Sequence, residues 1–154
     1  MAIRNLWHVS FTVADLDRSV AFYTDLGMEL IHRQTQQNEY TARLVGFPGV
    51  HLEVAMLAIP GSEPGRSGHH LELVRYVHPL GEPVRPRTNQ PGAPHLAFET
   101  SDIHADFERL RAKGVRFRAE APVAIEAGRN QGGFTIYFED PDGITLELVQ
   151  PPKP

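Results

Sequence analysis

From Trp7 to Val13 the apolar residues Trp7, Val9, Phe11 and Val13 alternate with His8, Ser10 and Thr12, the period-2 pattern of a strand with one apolar face. His8 therefore falls on the more polar face. Asp15 is placed to cap the helix that follows, in which Leu16, Val20 and Tyr23 recur at i, i+4 and i+7, and Gly27 supplies the stop. Met28 to Gln34 resumes as a strand. Asn38 to Val45 fits either a strand or a short helix closed by Gly46, and the helix is the preferred reading. Val50 to Ile59 reads as a long strand, 61–68 as a Gly/Ser/Pro loop, and His69 to Val77 as another strand. The first half is thus predicted to be a strand-helix-strand-strand-strand unit.

The same plan then returns. The run from Leu6, L-W-H-V-S-F-T-V-A-D-L, aligns without a gap on A-P-H-L-A-F-E-T-S-D-I from Ala93, so that His8 falls on His95, Phe11 on Phe98, Asp15 on Asp102 and Gly27 on Gly114. G-H-H-L-E-L-V, ending at Val74, aligns on G-I-T-L-E-L-V, ending at Val149, and places Glu72 on Glu147. Between the halves, Pro79 to Pro94 holds five prolines and two glycines that break regular structure; this linker connects and needs no chemistry of its own. The second half is predicted as strand Pro94 to Thr100, a helix capped by Asp102 with Ile103, Phe107 and Leu110 inward, a stop at Gly114, strand Val115 to Ala119, a Gly-rich segment around 128–133, strand Phe134 to Glu139, a D-P-D-G turn, and strand Ile144 to Val149. The prediction is an α+β chain of two βαβββ modules, about 5–78 and about 94–150, joined by a linker at about 79–93.

Composition narrows what such a chain can do. A length of 154 residues with 41% hydrophobic residues supports one ordinary domain, and halves this short are expected to share a core. The net charge of -4, with 15 basic and 19 acidic residues and no basic run, leaves no footprint for nucleic acid or an anionic membrane surface. No apolar run approaches the roughly 18 residues of a membrane span, so a cytoplasmic protein is expected. With no cysteine, there is neither a disulfide frame nor a thiolate site, and any metal must be held by His and carboxylates.

The repeat itself points to such a site. Taken singly, His8, Glu72, His95 or Glu147 would be an ordinary strand residue. An ionisable pair recurring at equivalent, apolar-flanked positions in both halves is harder to explain, because burial there is costly without a partner. If the modules pair about a pseudo-two-fold axis, the four converge into a site with two nitrogen and two oxygen donors. That set suits a borderline divalent ion such as Zn, Ni, Co, Mn or Fe(II), with room for water or a bidentate substrate. His51, His69 and His70 are set aside as solvated, and Arg75, Arg129 and Tyr137 are secondary candidates to hold a substrate carboxylate or hydroxyl.

H-V-S-F-T-V-A-D-L-D-R-S-V-A-F-Y-T-D-L-G from His8, the internal P-H-L-A-F-E-T-S-D-I and the closing F-E-D-P-D-G-I-T-L-E-L-V resemble the vicinal oxygen chelate superfamily over almost the whole chain. That group includes glyoxalase I, methylmalonyl-CoA epimerase, extradiol dioxygenases, fosfomycin-modifying enzymes and bleomycin-resistance proteins. The resemblance implies two modules pairing into an open curved mixed sheet around a metal-site cleft, with ligands at His8, Glu72, His95 and Glu147. It also implies a homodimer and a small-molecule substrate with vicinal oxygens. A His, Glu, His, Glu set is similar to that of bacterial glyoxalase I; the epimerases usually carry Gln where Glu72 stands, and the dioxygenases use two His and one Glu. Glyoxalase I has an Arg and an Asn for glutathione where this chain has Thr12 and Tyr76, and the second carboxylate of the epimerases is replaced by Phe47. The resemblance thus implies a glyoxalase-like isomerase or epimerase. The bound ion would stabilise negative charge on the chelated oxygens, and Glu147 or Glu72 would move the neighbouring proton. An Fe(II) extradiol-type dioxygenase and a metal-free binding protein of the bleomycin-resistance kind are the alternatives.

Overall fold

The structure is a computed structural model that describes residues 6–61 and 70–153. Its elements are β1 (Val9–Thr12), α1 (Leu16–Asp25), β2 (Glu29–Gln36), α2 (Glu39–Val45), β3 (His51–Ala58), β4 (His70–His78), β5 (His95–Glu99), α3 (Ile103–Ala112), β6 (Val123–Ala124), β7 (Phe134–Glu139) and β8 (Thr145–Gln150). They divide into two compact units, Met1–Pro83 and Val84–Pro154. The α+β class and the βαβββ plan follow the hydrophobic pattern. Each unit forms one open four-stranded mixed sheet, in the order β1-β4-β3-β2 in the first and β5-β8-β7-β6 in the second. His69 and most of the 61–68 loop lie outside the described residues. Among the described residues, no helix is long and apolar enough to cross a membrane.

In the first unit, α1 begins where Asp15 accepts a hydrogen bond from the Arg18 backbone N–H at 3.0 Å. Its buried Leu16, Ser19, Val20 and Tyr23 turn inward. With them the core holds Phe11 of β1, Leu71 and Leu73 of β4, and Ala55 and Leu57 of β3, residues that period-2 alternation places on one face of the sheet. Each buried Leu or Phe contributes roughly 1.5–3 kcal/mol of transfer free energy, so this layer holds β1 and β4 in register. The opposite face carries His8, Ser10, Glu72, Met56 and Val54. The end of β3 next to it packs Val50, Leu52 and Val54 against Ala42 and Val45 of α2, together with Val74 and Tyr76. The ambiguous 38–45 segment is therefore a helix, with Asn38 as N-cap and Gly46 at φ 78, a left-handed conformation that glycine adopts without penalty.

The second unit repeats this with Ile103, Phe107 and Leu110 of α3 buried alongside Leu146, Leu148, Ile136 and Phe138. The predicted strand Val115 to Ala119 is corrected: only Phe117 forms a bridge, to Phe138, and the regular strand is the two-residue β6. Phe117 is drawn in between the rings of Phe107 (4.7 Å) and Phe138 (5.5 Å), the chain bends at 118–121, and Pro122 has no N–H to give to a ladder. In the Gly-rich segment, Gly133 has a steric reason to be glycine, because a Cβ there would stand 2.3 Å from the Gln150 carbonyl oxygen. The D-P-D-G turn closes on buried Asp140, whose Oδ1 accepts hydrogen bonds from the backbone N–H groups of Asp142 (2.9 Å) and Ile144 (2.8 Å).

Candidate functional site

In the first unit, β1 and β4 are parallel neighbours, with Ser10 opposite Glu72. His8 stands two residues before Ser10, on the same face as Glu72, and its Nε2 lies 3.5 Å from Glu72 Oε2. In the second unit, β5 and β8 are parallel with Ala97 opposite Glu147, His95 again stands two residues earlier, and its Nε2 lies 3.4 Å from Glu147 Oε2. The repeat therefore preserves register as well as residue type. The structure brings the four predicted ligands together two by two, one His and one Glu in each unit. Among the described residues, no third His, Cys, Asp or Glu joins either pair in a metal-holding group within its unit.

Both separations exceed an ordinary N–H···O hydrogen bond. Two donors about 2.1 Å from one ion at a tetrahedral angle stand roughly 3.4 Å apart, so each pair has the spacing of neighbouring ligands on one ion. His8 Nδ1, on the other side of the ring from the Nε2 that faces Glu72, is buried without a hydrogen-bond partner among the described residues. In each unit, an imidazole and a carboxylate are donor types that suit a divalent ion of the Zn, Ni, Co, Mn or Fe(II) kind.

The surroundings of the two pairs differ. Glu72 lies across from Met56, with Val54 opposite Val74 one step along the ladder. Glu147 lies across from Tyr137, and Thr135, opposite Val149, donates its hydroxyl to Glu147 Oε1 at 2.5 Å. Thr135 Oγ1 is also 3.1 Å from the Leu148 carbonyl oxygen. The hydroxyl can thus give its proton to the carboxylate, or accept one from the carboxylic acid while donating to Leu148. The His95 and Tyr137 rings lie 5.6 Å apart. A cavity of about 570 Å³ beside Ala97 is lined by Glu99, Arg129, Asn130 and Val149.

Some secondary expectations change. Arg75 is one residue out of phase with Val74 and Tyr76, so it lies on the α1 face of the sheet rather than on the face of Glu72. There it is paired with Glu53 at 2.8 Å, which leaves it no part as a substrate ligand beside Glu72. His70, expected to be solvated, is 6% exposed, and its Nε2 is buried without a partner among the described residues. It shares Glu72's face two residues earlier on β4; alternation alone places it there, whereas the composition of the adjoining loop suggests exposure. His51 is half-buried at the start of β3. Thr12 and Tyr76 follow the alternation of the Glu72 face, and the Tyr76 ring packs edge-on against Phe47 at 5.9 Å.

Residues 5–148 match the family described as Glyoxalase/Bleomycin resistance protein/Dioxygenase superfamily. The chain belongs to this superfamily. It is 34% identical over 150 residues to a 2-epi-5-epi-valiolone epimerase of Actinomyces, covering 94% of this chain and 78% of that protein. It is 33% identical over 152 residues to a lactoylglutathione lyase of Haemophilus influenzae, covering 93% and 90%. Among solved structures, a glyoxalase family protein from Bacillus cereus superposes with a TM-score of 0.83 at 25% identity, covering 99% of both chains. An antibiotic binding protein from Streptomyces superposes at 0.59 with 27% identity, covering 98% of both. The superfamily thus joins relatives named as enzymes and a neighbour named for binding on one fold.

Proposed function

We propose that this chain is a metal-dependent isomerase or epimerase of the superfamily that moves a proton next to a carbonyl in a small substrate with vicinal oxygens. His8, Glu72, His95 and Glu147 would together hold one divalent ion, and the chain would work as a homodimer, as superfamily members commonly do. The observation that carries this reading is the pair of His–Glu contacts, 3.5 and 3.4 Å, in the same strand register in both units. Relatives named epimerase and lactoylglutathione lyase support isomerase chemistry.

When bound, the ion would supply Lewis-acid stabilisation of negative charge developing on the substrate oxygens. The chain's own groups divide the remaining work. Glu147 is held by Thr135 at 2.5 Å and keeps its orientation. Glu72 has no hydrogen-bond partner of this kind among the described residues, so its carboxylate is the freer to turn and to take and return a proton. Thr12 and the Phe47–Tyr76 ring pair offer neither the Arg nor the Asn through which glutathione would be held, so a glutathione adduct is expected to be turned over poorly or not at all.

The test is elemental analysis of untagged protein combined with two assays. One divalent ion per chain, solvent deuterium exchange into 2-hydroxy or 2-oxo compounds, and little turnover of the methylglyoxal–glutathione hemithioacetal are expected. Oxygen uptake on a catechol without deuterium exchange overturns the isomerase reading in favour of an extradiol-type dioxygenase. Absence of metal uptake overturns it in favour of a binding protein.

A further inference from the structure

The second unit contains a cationic cavity on the same sheet face as His95 and Glu147, which the proton-transfer reading does not use. Its volume is about 380 Å³, and it is lined by Arg85, Pro86, Arg87, Arg118, Glu139 and Gly143. Three arginines and one carboxylate, that of Glu139, therefore line it. That carboxylate is already engaged, with Arg116 3.1 Å from Glu139 Oε2 and Arg118 3.6 Å from Glu139 Oε1. Among the described residues, neither Arg85 nor Arg87 has an acidic partner. The cavity thus has an excess of positive charge that its own residues do not neutralise.

The sheet connects this cavity to the ligand pair. Arg118 Nη2 donates to Thr145 Oγ1 at 3.2 Å. Thr145 is opposite both His95 on β5 and Glu139 on β7, and stands two residues before Glu147 on β8, so all four side chains share one face. Residues 116–118 run beside 137–139, with the Arg118 N–H donating to the Tyr137 carbonyl and the Glu139 N–H to the Arg116 carbonyl. Phe117 therefore turns into the core, while Arg116 and Arg118 turn to the ligand face. Arg85 is located from the other side: its Cγ, Cδ and Nε would lie 3.4–3.5 Å from a Cβ on Gly143, so this glycine leaves room for the arginine stem at the cavity wall.

We propose that Arg85, Arg87 and Arg118 form an anion subsite for the carboxylate or phosphate of the substrate whose vicinal oxygens are held at His95 and Glu147. The substrate class is then an anionic hydroxy or oxo compound. Planar guanidinium forks suit either anion through paired N–H···O bonds. This inference rests on the metal-site reading for the substrate's identity, while the anion site itself can be tested without the metal.

The test is calorimetric titration of inorganic phosphate and of malonate into the full chain, both metal-loaded and EDTA-treated, at low ionic strength with matched chloride. Saturable binding of at least one probe to both forms is expected. Arg87→Gln and Arg118→Gln each weaken it on the order of tenfold, from loss of a charged hydrogen bond. Arg118→Lys retains most of it, and Arg129→Gln, in the separate cavity beside Ala97, leaves it unchanged. No binding by the wild type, or undiminished binding by the two Gln variants with circular dichroism intact, overturns the subsite. A wild type that takes up metal but neither anion sinks the subsite alone. One that binds anions at these arginines but takes up no metal supports the subsite and sinks the metal reading.

Discussion

The two units hold the same pair of side chains in the same register and surround them differently. In the first, His8 and Glu72 stand among Met56, Val54 and Val74, and His8 Nδ1 and His70 Nε2 are buried without partners among the described residues. In the second, His95 and Glu147 stand among Thr135, Tyr137 and Thr145, beside a cluster of arginines. The difference teaches which part of a duplicated module is constrained by shared chemistry. The donor pairs are kept, while the positions that orient a donor or contact a substrate have diverged. Two carboxylates that look interchangeable in the repeat are therefore expected to have unequal roles, with Glu147 anchored and Glu72 mobile.

The largest effect tests what the units share. His8→Ala and His95→Ala should each remove most of the bound metal, as should Glu147→Ala, since each deletes one donor of a four-donor set. Inductively coupled plasma analysis of the dialysed variants checks this. If two of the three keep a full ion and full activity, the equivalence of the pairs has no bearing on metal.

The next effect tests what differs. Glu72→Gln keeps an oxygen donor but loses basicity, so metal should be partly retained while proton exchange falls on the order of 10²-fold, the range of a removed general base. Measuring metal content and solvent deuterium exchange on the same preparation separates the two roles. Exchange close to wild type would assign the proton to Glu147 and reverse the division of labour.

Thr135→Val comes third. It removes the hydroxyl that orients Glu147 and puts there the residue type found at Val54, the equivalent position in the first unit. A hydrogen bond to a charged group contributes about 1.5–3 kcal/mol, so turnover should fall about tenfold or more with metal content little changed. Thr135→Ser should restore most of it. If the valine variant keeps wild-type turnover, the anchor has no role in catalysis.

How much of this is legible in the sequence follows from the period of each signal. Alternation and helical spacing locate both core faces, both helix caps and the faces of His8 and Glu147, because burial imposes those periods on the chain. The 115–119 segment reads as a strand because VRFRA alternates as a strand does, yet one aromatic residue, Phe117, inserts between two rings and the bend before Pro122 ends the pairing. Thr135 leaves no signal, since a threonine in a strand is ordinary and its importance depends on which residue lies across the ladder. Arg85 and Arg87 read as part of a Pro-rich connector; their placement beside Arg118 depends on a tertiary approach to Gly143 that no local pattern encodes.

The smallest effect compares the helix caps. Asp15 and Asp102 each accept a backbone N–H, from Arg18 and Ala105, at 3.0 Å. Asp102→Ala should cost about 1 kcal/mol, the usual loss on removing an N-cap. At Asp15 the hydrogen bond from the Arg18 backbone holds the carboxyl below its ordinary 3.8, with the Arg18 and Arg75 charges acting in the same direction and desolvation opposing them. A carboxyl lowered in the folded state adds stability that is fully present above the unfolded value and is lost as pH falls through the folded one. Asp15→Asn can still accept the cap hydrogen bond but lacks the charge. Its stability deficit should therefore be constant at neutral pH and shrink as pH drops below about 4, the ordinary carboxylate range. Urea denaturation at a series of pH values checks this, and a deficit that stays the same down to the acid limit would show that the cap acts through geometry alone.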